Sequence, residues 1–279
     1  MPTKTYWNFG EVEQEIIDNA PPTVYKYRNW KDENHKNVLL KNHLWFSHPF
    51  DLNDPLDVRP DFAYSVEEVE SDAFFQHLVD LMPVEYRNLN QKEKESIAKK
   101  QWEKIKADPS AHFNANRKQI LTRERYEPYG VFSTTIDSLS IPTWEVYGDN
   151  HKGYCIGFKT VELARDLQCT TGLVDYNDAP FPYKFIKDQT DQGVDILLYK
   201  KTAWTYEKEF RFVTAGIGVY TTRLRTFKPH TAVEVVLGHN ISREHEGEIL
   251  RVIEAQYQKI PVYKTRMLDN GQFTRDTIR

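Results

Sequence analysis

The stretch Trp204-Thr-Tyr-Glu-Lys-Glu-Phe-Arg-Phe-Val213 decides how this chain is read. Its alternation predicts a β-strand entered through an aromatic turn. Successive side chains on a strand point to opposite faces, so Glu207, Glu209 and Arg211 would share one face and Phe210 and Phe212 the other. The phenylalanine face belongs to a core. The other face is either a working surface or a solvated one. Two carboxylates side by side raise one pKa unless a cation answers them, and Arg211 is spaced to do so.

Outward from this strand, a helix from about Gln192 to Lys201 leads into it. Gly153-Tyr-Cys-Ile-Gly-Phe158 is apolar on both faces, as a central strand is. Further strands are read at Thr23–Arg28, Leu44–Ser47, Gly130–Thr135 and Leu173–Tyr176, with a hairpin-like one at Gly218–Thr222. Val233–Leu237, a helix capped by Ser242 and carrying Ile249, Leu250, Ile253 and Tyr257, and a strand starting at Pro261 form a closing β–α–β unit. Short helices are predicted at Glu11–Asn19, around Val38-Leu39-Leu40 with Asp32 or Asn34 as cap, at Ser138–Tyr147 and at Val161–Leu167. From Ser65 to about Tyr126 the period becomes helical. Ser65 and Glu68 have capping-box spacing, Met82-Pro83 ends a first helix, a second runs from Gln91 to Lys106, and Asp108-Pro-Ser110 precedes a third reaching Arg125. These patterns give an α+β class: a curved, mixed β-sheet core over 1–279 as one domain, with a helical block at 65–127 inserted as a subdomain or lid.

At 279 residues, the chain suits one large domain or one domain with an insertion. Its formal net charge of −4 excludes a polycation that coats nucleic acid as a whole. The helices are the exception: residues 91–125 hold ten Lys/Arg against five Asp/Glu. The two cysteines, Cys155 and Cys169, form no CxxC, which argues for a reducing cytoplasm and against structural zinc. No leader-like apolar segment and no run of membrane-spanning length is present, so no membrane partner is expected.

Several constellations could carry chemistry. Glu207 and Glu209 come first: one carboxylate can stabilise a developing sugar cation while the other handles a nucleophile. Lys26 and Arg28 share a strand face opposite Tyr25 and Tyr27, and such a cationic pair can hold a diphosphate. Phe132-Ser-Thr-Thr135 offers hydroxyls to a ribose or a neighbouring glutamate. Each also has a plain structural explanation, as a solvated strand face, an edge strand with snorkelling cations, or ordinary β-propensity and turn chemistry. Asn53-Asp-Pro-Leu-Asp57 reads as turn and cap rather than as a metal loop. Cys155 sits in an apolar strand, where thiols are inert, so pairing with His151 is not expected to make a nucleophile.

Taken together, Val24–Arg28, Leu44–Pro49 with Asn53–Asp57, Phe132-Ser133 with Trp144–Tyr147, His151–Phe158 and Lys201–Arg211 resemble the bacterial DUF2971 family over about residues 23–240. That family has no known function, so the resemblance implies kinship and no mechanism. The order Arg28, Ser133-Thr134, Glu207-x-Glu209 also resembles the R–S–E arrangement of ADP-ribosyltransferases. That second resemblance implies NAD as substrate. Arg28 would hold NAD, with Tyr25 and Tyr27 beside it; Ser133 and Thr134 would brace the site. Glu209 would stabilise the oxocarbenium ion as nicotinamide leaves, and Glu207 would orient the acceptor. Thr135 departs from the pattern's last serine, and the gap between Arg28 and Ser133 is long. The expectation is an NAD-dependent ADP-ribosyltransferase-like enzyme of a toxin or phage-defence kind, modifying protein or nucleic acid. The competing expectation is a regulatory module that binds nucleic acid through the basic helices and performs no chemistry.

Overall fold

Nine strands form one mixed sheet in the order Tyr6–Trp7, Thr170–Leu173, Glu209–Thr214, Gly130–Thr135, Thr23–Arg28, Tyr154–Lys159, Ala232–Leu237, Val262–Met267 and Phe273–Thr277. The structure, a computed structural model, describes residues 6–7, 20–187, 189–219, 221–257 and 260–279. The helix expected at Glu11–Asn19 lies outside the described residues. The α+β class holds. The pairing is antiparallel except between Ala232–Leu237 and Val262–Met267, the parallel pair of the closing β–α–β unit. The strand Phe273–Thr277 beyond it was not foreseen. Its sequence, Phe-Thr-Arg-Asp-Thr, is too polar to show a core face, and it pairs at the sheet edge.

Tyr154–Lys159 is central, as its two apolar faces demanded, with Tyr154 through Phe158 all buried. One side of the sheet carries the main core: Phe132, Ile156, Phe158, Phe210 and Phe212, covered by helices Glu33–Lys41, Thr160–Leu167 and Arg243–Gln256. These helices start where local chemistry allows. Asp32 accepts a bond from His35 N and Ser242 from His245 N, which satisfies otherwise orphaned amides. The other side carries Tyr27, Cys155 and Val236, packed with Trp144 of helix Ile141–Tyr147.

The helical block consists of Val66–Glu70, Asp72–Asp80, Gln91–Ala107, Pro109–Ile120 and Arg123–Tyr126. Its first helix breaks at Ser71, which ends one segment and caps the next through Phe74 N. Only half of the expected capping box forms. Ser65 Oγ accepts from Glu68 N, but Glu68 turns its carboxylate to Ile186 N. The block has its own core, in which Val69, Phe74, Ile105 and Ile120 pack on Phe181, Phe185 and Ile196. Among the described residues no helix is long and apolar enough to cross a membrane.

Several boundaries differ from expectation. The helix before the opening stretch is Gln189–Leu197, and Tyr199–Lys200 is a short strand paired with Asp175–Tyr176. Thr170–Leu173 joins the large sheet while Asp175–Tyr176 leaves it, so the strand expected at Leu173–Tyr176 is two. Where a strand was expected at Gly218–Thr222, the described residues form only the bridge from Ile217 to Thr221.

Candidate functional site

The site begins where the sheet comes apart. Thr23–Arg28 and Gly130–Thr135 are sheet neighbours, yet they pair only at Tyr25 and Thr135. Beyond that point the strands splay. Ser47, following the strand His43–Trp45, takes up the far end by exchanging both backbone bonds with Val131, at 2.8 and 2.9 Å. The gap between these two junctions opens into a cleft of about 830 Å³. That is within the ordinary range for small-molecule sites.

The opening stretch reaches the cleft by a different route from the one its alternation suggested. Thr202–Glu207 is a 3₁₀ helix, and the strand starts only at Glu209. Lys208, between them, is left-handed at φ 45° and ties its ammonium to Asp137 at 2.9 Å. Glu207 and Glu209 therefore do not share a strand face. They converge because the chain turns at Lys208 and because one lysine holds both. Lys200 Nζ donates to Glu207 Oε2 at 2.5 Å and also to Glu209 Oε1. Arg211 does sit beside Glu209, as the period of two required, with Nε 2.8 Å from Oε2. Arg211 is fully buried, and its other arm forms a bidentate pair with Asp57 at 3.0 and 2.6 Å.

This buried network holds three carboxyls, Asp57, Glu207 and Glu209, against two cations, Lys200 and Arg211. Two cations do not balance three anions away from water, so one carboxyl is driven to titrate at higher pH. Glu207 is that group. Burial first, then the hydrogen-bonded Glu209, push its carboxyl up to about 7, and Tyr147 Oη donates to its Oε1 at 2.8 Å. Glu209 goes the other way. Burial alone would raise it, but Arg211 and Lys200 outweigh burial and hold it well below the usual carboxylate range. Lys200 likewise stays above its ordinary value, because Glu209 and Asp57 overcome its desolvation.

The opposite lip is cationic. Lys26 Nζ reaches across the gap and donates to the Ser133 carbonyl at 2.5 Å. Burial, with Arg28 adding to it, lowers Lys26 to about 7, against the opposing pull of Glu209 and Glu207. Arg28 is lowered to about 10 by burial. Its Nε is buried without a hydrogen-bond partner, and its nearest bond is a long 3.5 Å contact from Nη1 to Tyr27 O. His35 lies nearby and is held near 4 by burial and by Arg28.

The structure thus brings Arg28, Ser133, Glu207 and Glu209 to one cleft. Thr134, Tyr25 and Tyr27 line the same cleft, with their hydroxyls bonded to neighbouring protein groups. Thr134 spends its buried hydroxyl on Phe210 O at 2.6 Å, so it braces the sheet and is not a ligand donor. Tyr27 is buried edge-on against Trp144 and donates to Asp137 O, and Tyr25 donates to Glu234. Both hydroxyls are bonded within the scaffold, while both residues still line the cleft. No residue of the helical block 65–127 lines the cleft.

Asp57, Tyr147 and Lys200 were not foreseen as site residues. Lys200 left a trace, as the first of two lysines closing the apolar run Ile196-Leu-Leu-Tyr199. Asp57 left none: in sequence it is one more turn former, and its partner is 154 positions away. Asp54 supplies the expected turn cap, accepting from Leu56 N at 2.9 Å. Cys155 is buried and inert, its thiol pushed far up by desolvation.

No curated protein and no solved structure matches the chain significantly. Over residues 143–212, which contain Tyr147, Lys200, Glu207, Glu209 and Arg211, the chain matches the family described as "Protein of unknown function (DUF2971)".

Proposed function

We propose that the cleft is the active site of an NAD-consuming enzyme of the ADP-ribosyltransferase kind. The observation that carries this reading is the split state of the acid pair. Glu209 is a permanent anion and Glu207 titrates near neutrality, and both face the cationic lip of Lys26 and Arg28. Two carboxyls pushed apart in this way suit two different roles in one reaction. The diphosphate of NAD lies against Lys26 and Arg28, where the unpartnered Arg28 Nε offers a donor. Glu209 stabilises positive charge on the ribose as the C1′–N bond to nicotinamide breaks. Nicotinamide leaves with the bonding electrons. An acceptor hydroxyl, amine or water attacks C1′, and its proton passes to ionised Glu207. With water as acceptor the products are ADP-ribose and nicotinamide. The reading agrees with a cytoplasmic toxin or phage-defence effector acting on protein or nucleic acid, and the described thiols form no disulfide.

The test is release of nicotinamide from NAD, with and without cell lysate as a source of acceptors. Wild type is expected to release it. Glu207→Gln and Glu209→Gln, checked for folding by near-UV circular dichroism, are expected to lose the activity by about 100-fold or more. Folded wild type that leaves NAD intact in both settings sinks the proposal, as does turnover unaffected by both substitutions.

A second reading rests on the helix Gln91–Ala107, where Lys92, Lys99, Lys100 and Lys104 are exposed. It is a nucleic-acid contact by a module without chemistry. RNA or DNA binding that weakens steeply with salt and vanishes when these lysines become glutamine supports it. Salt-insensitive or absent binding removes it.

A further inference from the structure

The cleft has an apolar wall that the acid pair and the cations do not use. Trp45 is 55% exposed and Leu224 44% exposed, and both line the cleft. They stand directly opposite each other in the two-stranded ribbon of His43–Trp45 with Leu224–Thr226. Cross-strand partners share a face, so the two form one apolar platform. A large indole left exposed inside a polar cleft is unusual for a side chain that gains so much from burial.

The strand Gly130–Thr135 acts as a ruler for the cleft. At its Thr135 end it faces Glu209. At Ser133 its carbonyl receives Lys26 Nζ. At Val131 it anchors Ser47, and through Ser47 the Trp45 ribbon. Val131 and Thr135 are four residues apart, so the ribbon is anchored about 13 Å along the strand from the acid pair, with the cation near the midpoint. The bridge is antiparallel, so from Ser47 the chain runs back through Phe46 to Trp45 toward the level of Ser133: the platform stands on the cation's side of the cleft, and the acid pair at the Thr135 end. A dinucleotide carries the three matching groups, a ribose, phosphates and a planar base, within the span of one such cleft.

We infer that Trp45 and Leu224 form a nucleobase subsite that takes the adenine ring of the substrate, with its 5′-phosphate on Lys26 and Arg28. The inference rests on the NAD reading above and gives the substrate an orientation: adenine at the ribbon, nicotinamide at Glu207 and Glu209. Base–aromatic stacking supplies affinity without base-edge contacts, so the subsite needs only the indole face.

The experiment is calorimetric titration of the full chain with AMP, nicotinamide mononucleotide and ribose 5-phosphate. Wild type, Trp45→Ala, Trp45→Phe and Leu224→Ala are compared, each checked for folding by near-UV circular dichroism. AMP is expected to bind at least about tenfold more tightly than ribose 5-phosphate. Trp45→Ala is expected to remove that advantage, and Trp45→Phe to restore most of it. Ribose 5-phosphate affinity should be the same in all four proteins. AMP binding that ignores Trp45 overturns the subsite while leaving the NAD reading standing. Trp45-dependent binding of nicotinamide mononucleotide instead of AMP overturns the adenine assignment. Failure of folded wild type to bind any of the three overturns subsite and reading together. Trp45-dependent AMP binding without nicotinamide release keeps the subsite and removes the transferase.

Discussion

Asp57 closes a bidentate ion pair on Arg211, Nη1 to Oδ1 at 3.0 Å and Nη2 to Oδ2 at 2.6 Å, with Asp57 in a turn and Arg211 in the middle of a sheet strand. The pair is buried, with side-chain exposures of 3% and 0%, so neither partner has water to fall back on. Replacing Asp57 with Ala leaves Arg211 short of an anion in the interior. The expected cost is about 3–5 kcal/mol in equilibrium urea unfolding, the scale of an orphaned buried charge. A loss below 1 kcal/mol would show that water or Glu209 takes over the guanidinium.

Glu207 sets a pH signature. Its folded-state value, about 7, lies above the ordinary 4.5, so the folded protein binds this proton more tightly than the unfolded chain. Its contribution is therefore fully present below about pH 4.5 and is lost as pH rises through about 7. Glu207→Gln should remove this loss, so the variant gains stability relative to wild type across that window. Parallel stability curves for the two proteins between pH 4.5 and 7.5 would count against the assignment.

Lys26 titrates in the same region with the opposite consequence for a ligand. Burial lowers it to about 7, so its ammonium, the form that attracts an anion, fades as pH rises past that value. Pyrophosphate affinity should fall about tenfold or more between pH 6 and 8. Lys26→Arg should flatten that dependence, leaving only the part due to Glu207, because a guanidinium keeps its charge. An affinity that is flat with pH in wild type would exclude Lys26 from the anion site.

Gly153 shapes the cationic lip through its lack of a side chain. A Cβ there would stand 2.1 Å from the carbonyl oxygen of Arg28, a backbone atom that cannot swing away. Gly153→Ala should cost about 1–3 kcal/mol as overpacking, and it should weaken pyrophosphate binding by displacing Arg28. Calorimetry and urea unfolding on one sample read both effects. A variant that loses stability but keeps full affinity would separate Gly153 from the cleft.

The helical block offers a control. Trp102 Nε1 donates to Val69 O at 2.7 Å inside it, and no residue of the block lines the cleft. Trp102→Phe should cost about 1 kcal/mol of stability and leave pyrophosphate affinity unchanged. A change in affinity would reveal coupling between block and cleft.

Local chemistry fixed much of this protein before any fold existed. Alternation placed Thr23–Arg28, and runs of β-forming residues placed Gly130–Thr135 and the doubly apolar centre of the sheet, because these patterns are written within a few neighbouring residues. Asp32 and Ser242 could be read as caps for the same reason: a cap bonds an amide three residues on. Glu209 and Arg211 could be paired on one face because a strand puts them there.

Glu207 shows where that logic stops. It reaches Glu209 through a left-handed Lys208 and a shared Lys200, and neither was legible from alternation. Asp57 on Arg211, Lys26 on Ser133 and Ser47 on Val131 join segments far apart in the chain, and nothing local marks either partner for the other. The tertiary structure alone decided that three carboxyls share two cations, and so that Glu207 is pushed up toward neutrality while Glu209 is held down. It also opened the cleft, because that gap exists only where two sheet neighbours pair at a single residue and then part.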